Sequence, residues 1–404
     1  MPGTLAGDRP PPNLRRLQRG HFGGPDAASC ADCHWKGGLA GAGDRADNSL
    51  LYGDGETLST HEPRNPPALW GAGWTERIAA EMTAELAAQV AAARAEATAT
   101  RAPVRVALSA KGTGYGLATA HPDGRLDTSA VRGIDPDLIV KPFGWKGIFP
   151  NLRAFVAHSL HIHFNLQAEE LVAAPGELDL GGDGDDPDRD GVTREITEGQ
   201  LTALVIFLAT QDAPRLEVPV EGGFADPFAP ELPAIVDAPE FTDRWLRGAE
   251  VFATLGCGGC HTPFMEVGDP VYRTRPALTG GETQVDLARD GARPTPARDP
   301  DDAVWRVPVF SDFRRHDMGP LLTGRHPERG VPESHWMTRR LWGLAQTGPY
   351  LHDGSAVTVE EAITRHGGEA AFAADGYRAL PDPDRASLTV FLMSLRRAPA
   401  IRVR

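Results

Sequence analysis

Cys30-Ala31-Asp32-Cys33-His34 near the start of the chain, and Cys257-Gly258-Gly259-Cys260-His261 beyond its middle, are the stretches on which the reading of this sequence turns. Two thiols three positions apart on a turning backbone can each form a thioether with a haem vinyl group, and the His that follows is placed to ligate the iron. Other readings of Cys-x-x-Cys fit less well. Zinc needs four converging ligands, and its Cys-x-x-Cys knuckles usually lie roughly 15–20 residues apart, whereas these pairs sit in opposite halves of the chain. A redox pair needs a βαβ context and no repeated following His. All 4 Cys residues fall in a complete Cys-x-x-Cys-His, so none is left for a disulfide framework. The sequence therefore predicts two covalently bound haem c groups, with His34 and His261 as proximal ligands. Their apolar faces would form part of the core, in keeping with an aromatic content of only 7%.

Working outward, 404 residues suggest two domains, perhaps three. Hydrophobic residues at 41% and charged residues at 24% exclude wholesale disorder. With 45 Gly and 35 Pro, long irregular connections are expected. The formal net charge of −14 disfavours a nucleic-acid or anionic-membrane partner and allows a basic one. No apolar run is long enough for a transmembrane segment. The first twenty residues, MPGTLAGDRPPPNLRRLQRG, lack the apolar core of a signal peptide. Covalent haem attachment implies export in bacteria, so a periplasmic location is expected, with any export signal removed before this numbering begins.

Periodicity places the elements. Trp74 to Arg101, with Ile78, Met82, Leu86 and Val90 among many Ala, predicts a helix. Val104 to Val131, with His121-Pro122-Asp123-Gly124 between apolar stretches, predicts a small β-hairpin. Helical spacing returns over Leu152–Leu171, Glu198–Gln211, Asp243–Leu255, Val359–His366 and Asp384–Arg397, while 266–310 reads as mostly loop. The fold class expected is mainly α, with long irregular loops and a minor β-hairpin. Residues 212–240, rich in Pro and acidic side chains, are the best linker. They divide an N-terminal haem c domain at 1–211 from a C-terminal one at 241–404.

The run Asp183, Asp185, Asp186, Asp188, Asp190, Gly191 has carboxylates at alternate positions and a turn Gly, like the opening of a calcium loop. Asp186, Asp188 and Asp190 are the candidate calcium ligands. Thr197 stands where a bidentate Glu is expected, so a solvated acidic loop is the other reading.

Further stretches carry a resemblance. They are Arg64-Asn-Pro-Pro-Ala-Leu-Trp-Gly71, Pro142-Phe-Gly-Trp-Lys-Gly147, Asp186-Pro-Asp-Arg-Asp-Gly191, His316-Asp-Met-Gly319, Leu341-Trp-Gly-Leu344, Pro349-Tyr-Leu-His-Asp-Gly354 and Glu360-Glu-Ala-Ile-Thr-Arg-His-Gly-Gly-Glu369. Taken in this order with the two Cys motifs, the chain resembles the di-haem cytochrome c peroxidase and MauG superfamily. Within it, the chain is most similar to the di-haem oxidoreductase branch, sometimes called thiol oxidoreductases. The resemblance implies two cytochrome c-like haem domains, with the active site at the N-terminal haem and an electron-relaying haem in the C-terminal domain.

The resemblance also suggests the remaining site residues. In relatives the second axial ligand of the C-terminal haem ends a short helix after the His-Asp-Gly motif. His366 stands there, with Met318 as the runner-up. A bis-His site would have a lower potential than His/Met. At the N-terminal haem, His61 lies near the place of a displaceable distal His. His163 aligns with a catalytic acid that is Glu or Asp in most relatives; here it is either acid/base or iron ligand. Trp145 corresponds to the inter-haem tryptophan, with a buried packing role as the other reading. Trp35, Trp70 and Trp342 read as haem-packing residues. His352 and Tyr350 read as hydrogen-bonding groups for haem propionates or water near the second haem, and His158 and His161 as helix-surface or hydrogen-bonding residues.

The function expected is that of a di-haem oxidoreductase of peroxidase type. Hydrogen peroxide or another small oxidant would react at the first haem, with electrons relayed from the second. A small electron-transfer protein would be the donor. Two alternatives stay open. One is MauG-like oxidation of a partner protein's side chain; the other is a non-catalytic di-haem electron carrier.

Overall fold

The computed structural model describes residues 27–52, 58–173, 192–216, 218–220, 223–225 and 239–397. Nine α-helices occur among them: α1 (Ala72–Thr100), α2 (Leu152–Phe164), α3 (Glu169–Ala173), α4 (Glu198–Ala209), α5 (Pro239–Thr254), α6 (Leu287–Asp290), α7 (Val359–Thr364), α8 (Ala371–Ala379) and α9 (Asp382–Met393).

The fold is not mainly α. It is 38% helical and 19% strand, with several small sheets. Every strand pairing among the described residues is antiparallel, and no sheet exceeds three strands. The stretch read as loop at 266–310 accounts for much of the difference. Met265–Val267, Ala297–Arg298 and Trp305–Val307 form one sheet, and Val271–Thr274 pairs with Thr283–Asp286. Strands of two to four residues are too short for a period-2 pattern to show. The expected hairpin is a three-stranded meander, Val104–Ala110, Thr113–Ala120 and Leu126–Val131. Its first turn is Lys111-Gly112, both at positive φ (45° and 80°), the backbone of a tight two-residue hairpin.

α1 exists because Ala fills its surface and apolar residues recur on one side. Trp74, Ile78, Met82, Leu86, Val90, Ala93 and Ala97 are buried. Its second half packs on the meander, where Ala93 and Ala97 meet Ala120. α2 is capped by the Asn151 side chain, which accepts from the Ala154 amide at 2.8 Å. It stops at Asn165, which takes the left-handed conformation at φ 55°. The predicted helix to Leu171 is therefore two helices, broken where Asn accepts a positive φ.

Two main cores result. The larger joins α1, α2 and α4 to Met265, Val267, Tyr272, Val307, Phe313 and Met337, drawing residues from both sides of 212–240. The second is built by α5 and α9, with Trp245 and Phe252 each 5.3 Å from Phe391 between ring centres. Gly248 makes this crossing possible: a Cβ there would lie 2.1 Å from the Ser387 carbonyl oxygen. Leu395–Arg396 then pairs with Arg215–Leu216. Arg397 closes the tie with a buried two-point ion pair to Asp212 (2.6 and 2.7 Å), while its guanidinium lies 4.7 Å over Trp70.

Candidate haem sites

The two Cys-x-x-Cys-His motifs fold alike. Each forms a one-turn 3-10 helix, Cys30–Asp32 and Cys257–Gly259. In each the His amide donates to the carbonyl of the first Cys at 2.9 Å, and the second Cys amide to the same carbonyl at 3.3 Å. Asp32 fixes the first turn by accepting from the Ala28 and Ser29 amides (2.8 and 3.0 Å) and from the Ser29 hydroxyl (2.9 Å). α5 delivers the second turn through Gly256 at φ 75°. No disulfide joins any of the four thiols. Burial raises the pKa of Cys30, and that of Cys257 to about 11. A redox-active pair would show the opposite shift.

The proximal imidazoles are oriented in the same way. His34 Nδ1 faces the Gly41 carbonyl at 3.1 Å, and His261 Nδ1 faces that of Phe310 at 3.1 Å. A proton on Nδ1 leaves the Nε2 lone pair for a metal. Burial lowers both His pKa values to about 4, which keeps the rings in the neutral, ligating form.

The second motif opens into a largely apolar cavity lined by Phe252, Cys257, Cys260, His261, Leu341, Trp342 and Leu388, among others. His366 enters it from the end of α7, which a reciprocal Thr358–Glu361 cap holds in place. His366 Nδ1 faces the Ala362 carbonyl at 2.8 Å, leaving Nε2 free as in His261. The two rings stand 6.5 Å apart between centres. Two bonds of about 2.0 Å to one metal, plus about 1.2 Å from each nitrogen to its ring centre, give roughly 6.4 Å. The donors therefore fit a six-coordinate haem iron held between His261 and His366. Met318 lines the same cavity.

At the first motif, His163 lies in the last turn of α2 with Nδ1 3.1 Å from the Ser49 hydroxyl. It is close enough to His34 to lower that residue's pKa electrostatically, after the larger effect of burial. His61 is buried just before the strand Glu62–Arg64, and its carbonyl accepts from Arg325 at 2.6 Å. Trp35 is half exposed, with its indole on Asp47 at 2.8 Å, and Trp70 is buried, donating to the Leu39 carbonyl at 2.9 Å. His158 is no surface residue. Its ring lies 4.9 Å from Phe149, and burial, with Arg329 nearby, lowers its pKa to about 3. Asp186, Asp188 and Asp190 lie outside the described residues.

Between the motifs, the Trp145 indole donates to the Asn65 carbonyl at 2.8 Å, and Trp145 lines the wall of the second cavity. Its ring is edge-on to His352 at 6.5 Å, and His352 stacks on Trp336 at 4.0 Å. Lys146, fully buried, holds its ammonium 3.6 Å over Trp336 while donating to the Pro332 and Glu333 carbonyls. The Tyr350 hydroxyl is taken by the Leu344 carbonyl at 3.2 Å. Trp336 and Lys146 gave no sequence signal beyond their residue types, because nothing local marks them as converging on Trp145.

Cys260, Asp312 and His316 also cluster tightly enough to suggest a metal site. The hydrogen bonding argues otherwise. His316 gives Nε2 to Asp312 at 2.9 Å and Nδ1 to Glu369 at 2.8 Å. Burial opposes its charge, but the Asp312 bond and charge, with Cys260 beside it, raise its pKa to about 10. An imidazolium donating from both nitrogens has no lone pair for a metal.

None of the described helices is long and apolar enough to cross a membrane. No curated protein matches this chain. Among solved structures, the Kuenenia stuttgartiensis hydrazine synthase pressurized with 20 bar xenon matches at 17% identity. The match covers 50% of this chain and 57% of that one with a TM-score of 0.27, too low to say anything of the fold. Residues 232–395 match the family model described as "Di-haem oxidoreductase, putative peroxidase", a segment that contains Cys257, Cys260, His261, Trp342 and His366. Over that segment the chain is similar to the di-haem oxidoreductases.

Proposed function

We propose that this chain is an exported, c-type di-haem oxidoreductase that reduces peroxide at the haem of Cys30 and Cys33 with electrons drawn through the haem of Cys257 and Cys260. The observation that carries the reading is the facing pair His261 and His366, both with Nε2 free, in the cavity beside the second Cys pair. Haem supplies the one-electron chemistry that no side chain here provides. With His261 and His366 both holding its iron, the second haem would serve as an electron relay rather than as the place where peroxide binds.

At the first haem, His34 is the proximal ligand and His163 the distal base. The His163 ring, which pairs through Nδ1 with the Ser49 hydroxyl, would move the proton of peroxide. His163, in the last turn of α2, takes this role, with His61 as the other candidate. Trp145 couples the haems, its indole anchored on Asn65 beside the second cavity. The donor is a small electron-transfer protein, and the acidic net charge of −14 suits a basic one. Calcium at Asp186, Asp188 and Asp190 remains part of the proposal.

Two outcomes test this. Expressed with haem-maturation machinery, the denatured chain should retain two haem masses by intact-mass spectrometry; none or one would overturn the di-haem c reading. Trp145→Phe should keep both haems while slowing electron transfer between them after peroxide mixing in stopped-flow. Unaltered transfer kinetics would reduce Trp145 to packing.

A further inference from the structure

The second cavity contains a charge pattern that iron ligation does not use. Arg339 and Arg340 follow the strand His335–Met337 after Thr338, and both line the cavity. No Asp or Glu is among the described residues lining it. Neither guanidinium forms an ion pair with a described carboxylate, unlike Arg64, Arg153 and Arg397. An arginine carries five N–H donors. Arg339 uses one, on the Gly144 carbonyl at 3.4 Å, and Arg340 uses two, on Thr75 Oγ1 at 2.5 Å and the Ala68 carbonyl at 3.1 Å. Each guanidinium is also positioned by an indole. Arg339 lies 4.5 Å over Trp145 and Arg340 5.1 Å over Trp342, and face-on stacking leaves the in-plane N–H edges available.

We propose that Arg339 and Arg340 bind the two ionised carboxylates of the macrocycle attached at Cys257 and Cys260. This rests on the covalent-haem reading of that cavity and deepens it. Two cations in an apolar site without anions are costly unless the ligand brings the opposite charge, and haem brings two propionates. Guanidinium and carboxylate also match in shape, so each pair can form two parallel hydrogen bonds. Burial supports the point by lowering the pKa of Arg339 to about 10 and that of Arg340, with Arg339 beside it, to about 9. Because Arg339 also lies over Trp145, it would be a positioning residue for that ring as well.

The test uses the haem-loaded protein, with intact mass first showing that both haems are attached. In Arg339→Met and Arg340→Met, loss of the cation leaves a carboxylate uncompensated and favours the ferric state. Each should lower the midpoint potential of the low-spin haem by about 59 mV, a tenfold shift in its oxidised-to-reduced ratio. The haem propionate bending band in resonance Raman should shift as well. Arg339→Lys and Arg340→Lys keep the charge but lose the fork, so they should move the Raman band while holding most of the potential. They give the result if the Met variants do not fold. An unchanged Raman band in variants that retain both haems would overturn the proposal and leave the di-haem reading standing. Absence of haem at Cys257 and Cys260 in the unaltered protein would instead overturn the reading beneath it.

Discussion

Replacing His366 with alanine should convert one of the two haems from low-spin to high-spin, with both haems still attached. The ring centres of His261 and His366 stand 6.5 Å apart, a separation that suits one iron between them, and the Nδ1 of each ring faces a backbone carbonyl. Removing one imidazole leaves an open axial position that cyanide or added imidazole should fill, the latter restoring the low-spin spectrum. Burial lowers the His366 pKa, so the ring is neutral and ligating at neutral pH. The electronic absorption spectrum of the ferric protein is the measurement. If His366→Ala leaves it unchanged and Met318→Ala alters it, the ligand is Met318, and the potential should then be that of a His/Met site.

His163→Ala should keep the first haem in place and reduce its second-order reaction with peroxide by roughly 10²–10⁴-fold, the usual contribution of a positioned acid/base. Ser49→Ala should give a smaller loss of the same sign, because Ser49 pairs with the Nδ1 of His163 and so orients its ring. The sign of the effect is informative. If His163 ligates the iron, removing it opens the axial position and the reaction accelerates. An unchanged rate and spectrum would defeat both roles and leave His61 as the residue to replace.

What the sequence revealed and what it hid follow from how local each signal is. Cys-x-x-Cys-His is complete within five residues, so both motifs, and the proximal ligands they lead one to expect, can be read without a structure. α1 was readable because four-residue apolar spacing persists through an Ala-rich run, and its observed bounds, Ala72–Thr100, nearly coincide with that pattern. The short strands were not, because Trp305–Val307 is a strand by virtue of Met265–Val267 and Ala297–Arg298 on either side of it. Arg339-Arg340 carries no local signal in the sequence. Only burial without carboxylate partners distinguishes it, and burial is a tertiary property. The same holds for His158, whose helix position says nothing of the Phe149 ring against it.

The interleaving of the cores has a consequence for biogenesis. Residues 265–337 complete the core begun by α1, and Leu395–Arg396 pairs back to Arg215–Leu216. Neither half of the polypeptide is then a unit that can finish folding while the rest is still being made. The decisive contacts join residues far apart in sequence and form slowly. The chain should therefore stay open until its last residues are delivered, which gives the machinery that attaches haem a long interval of access to Cys30, Cys33, Cys257 and Cys260. Folding would then close around cofactors already in place.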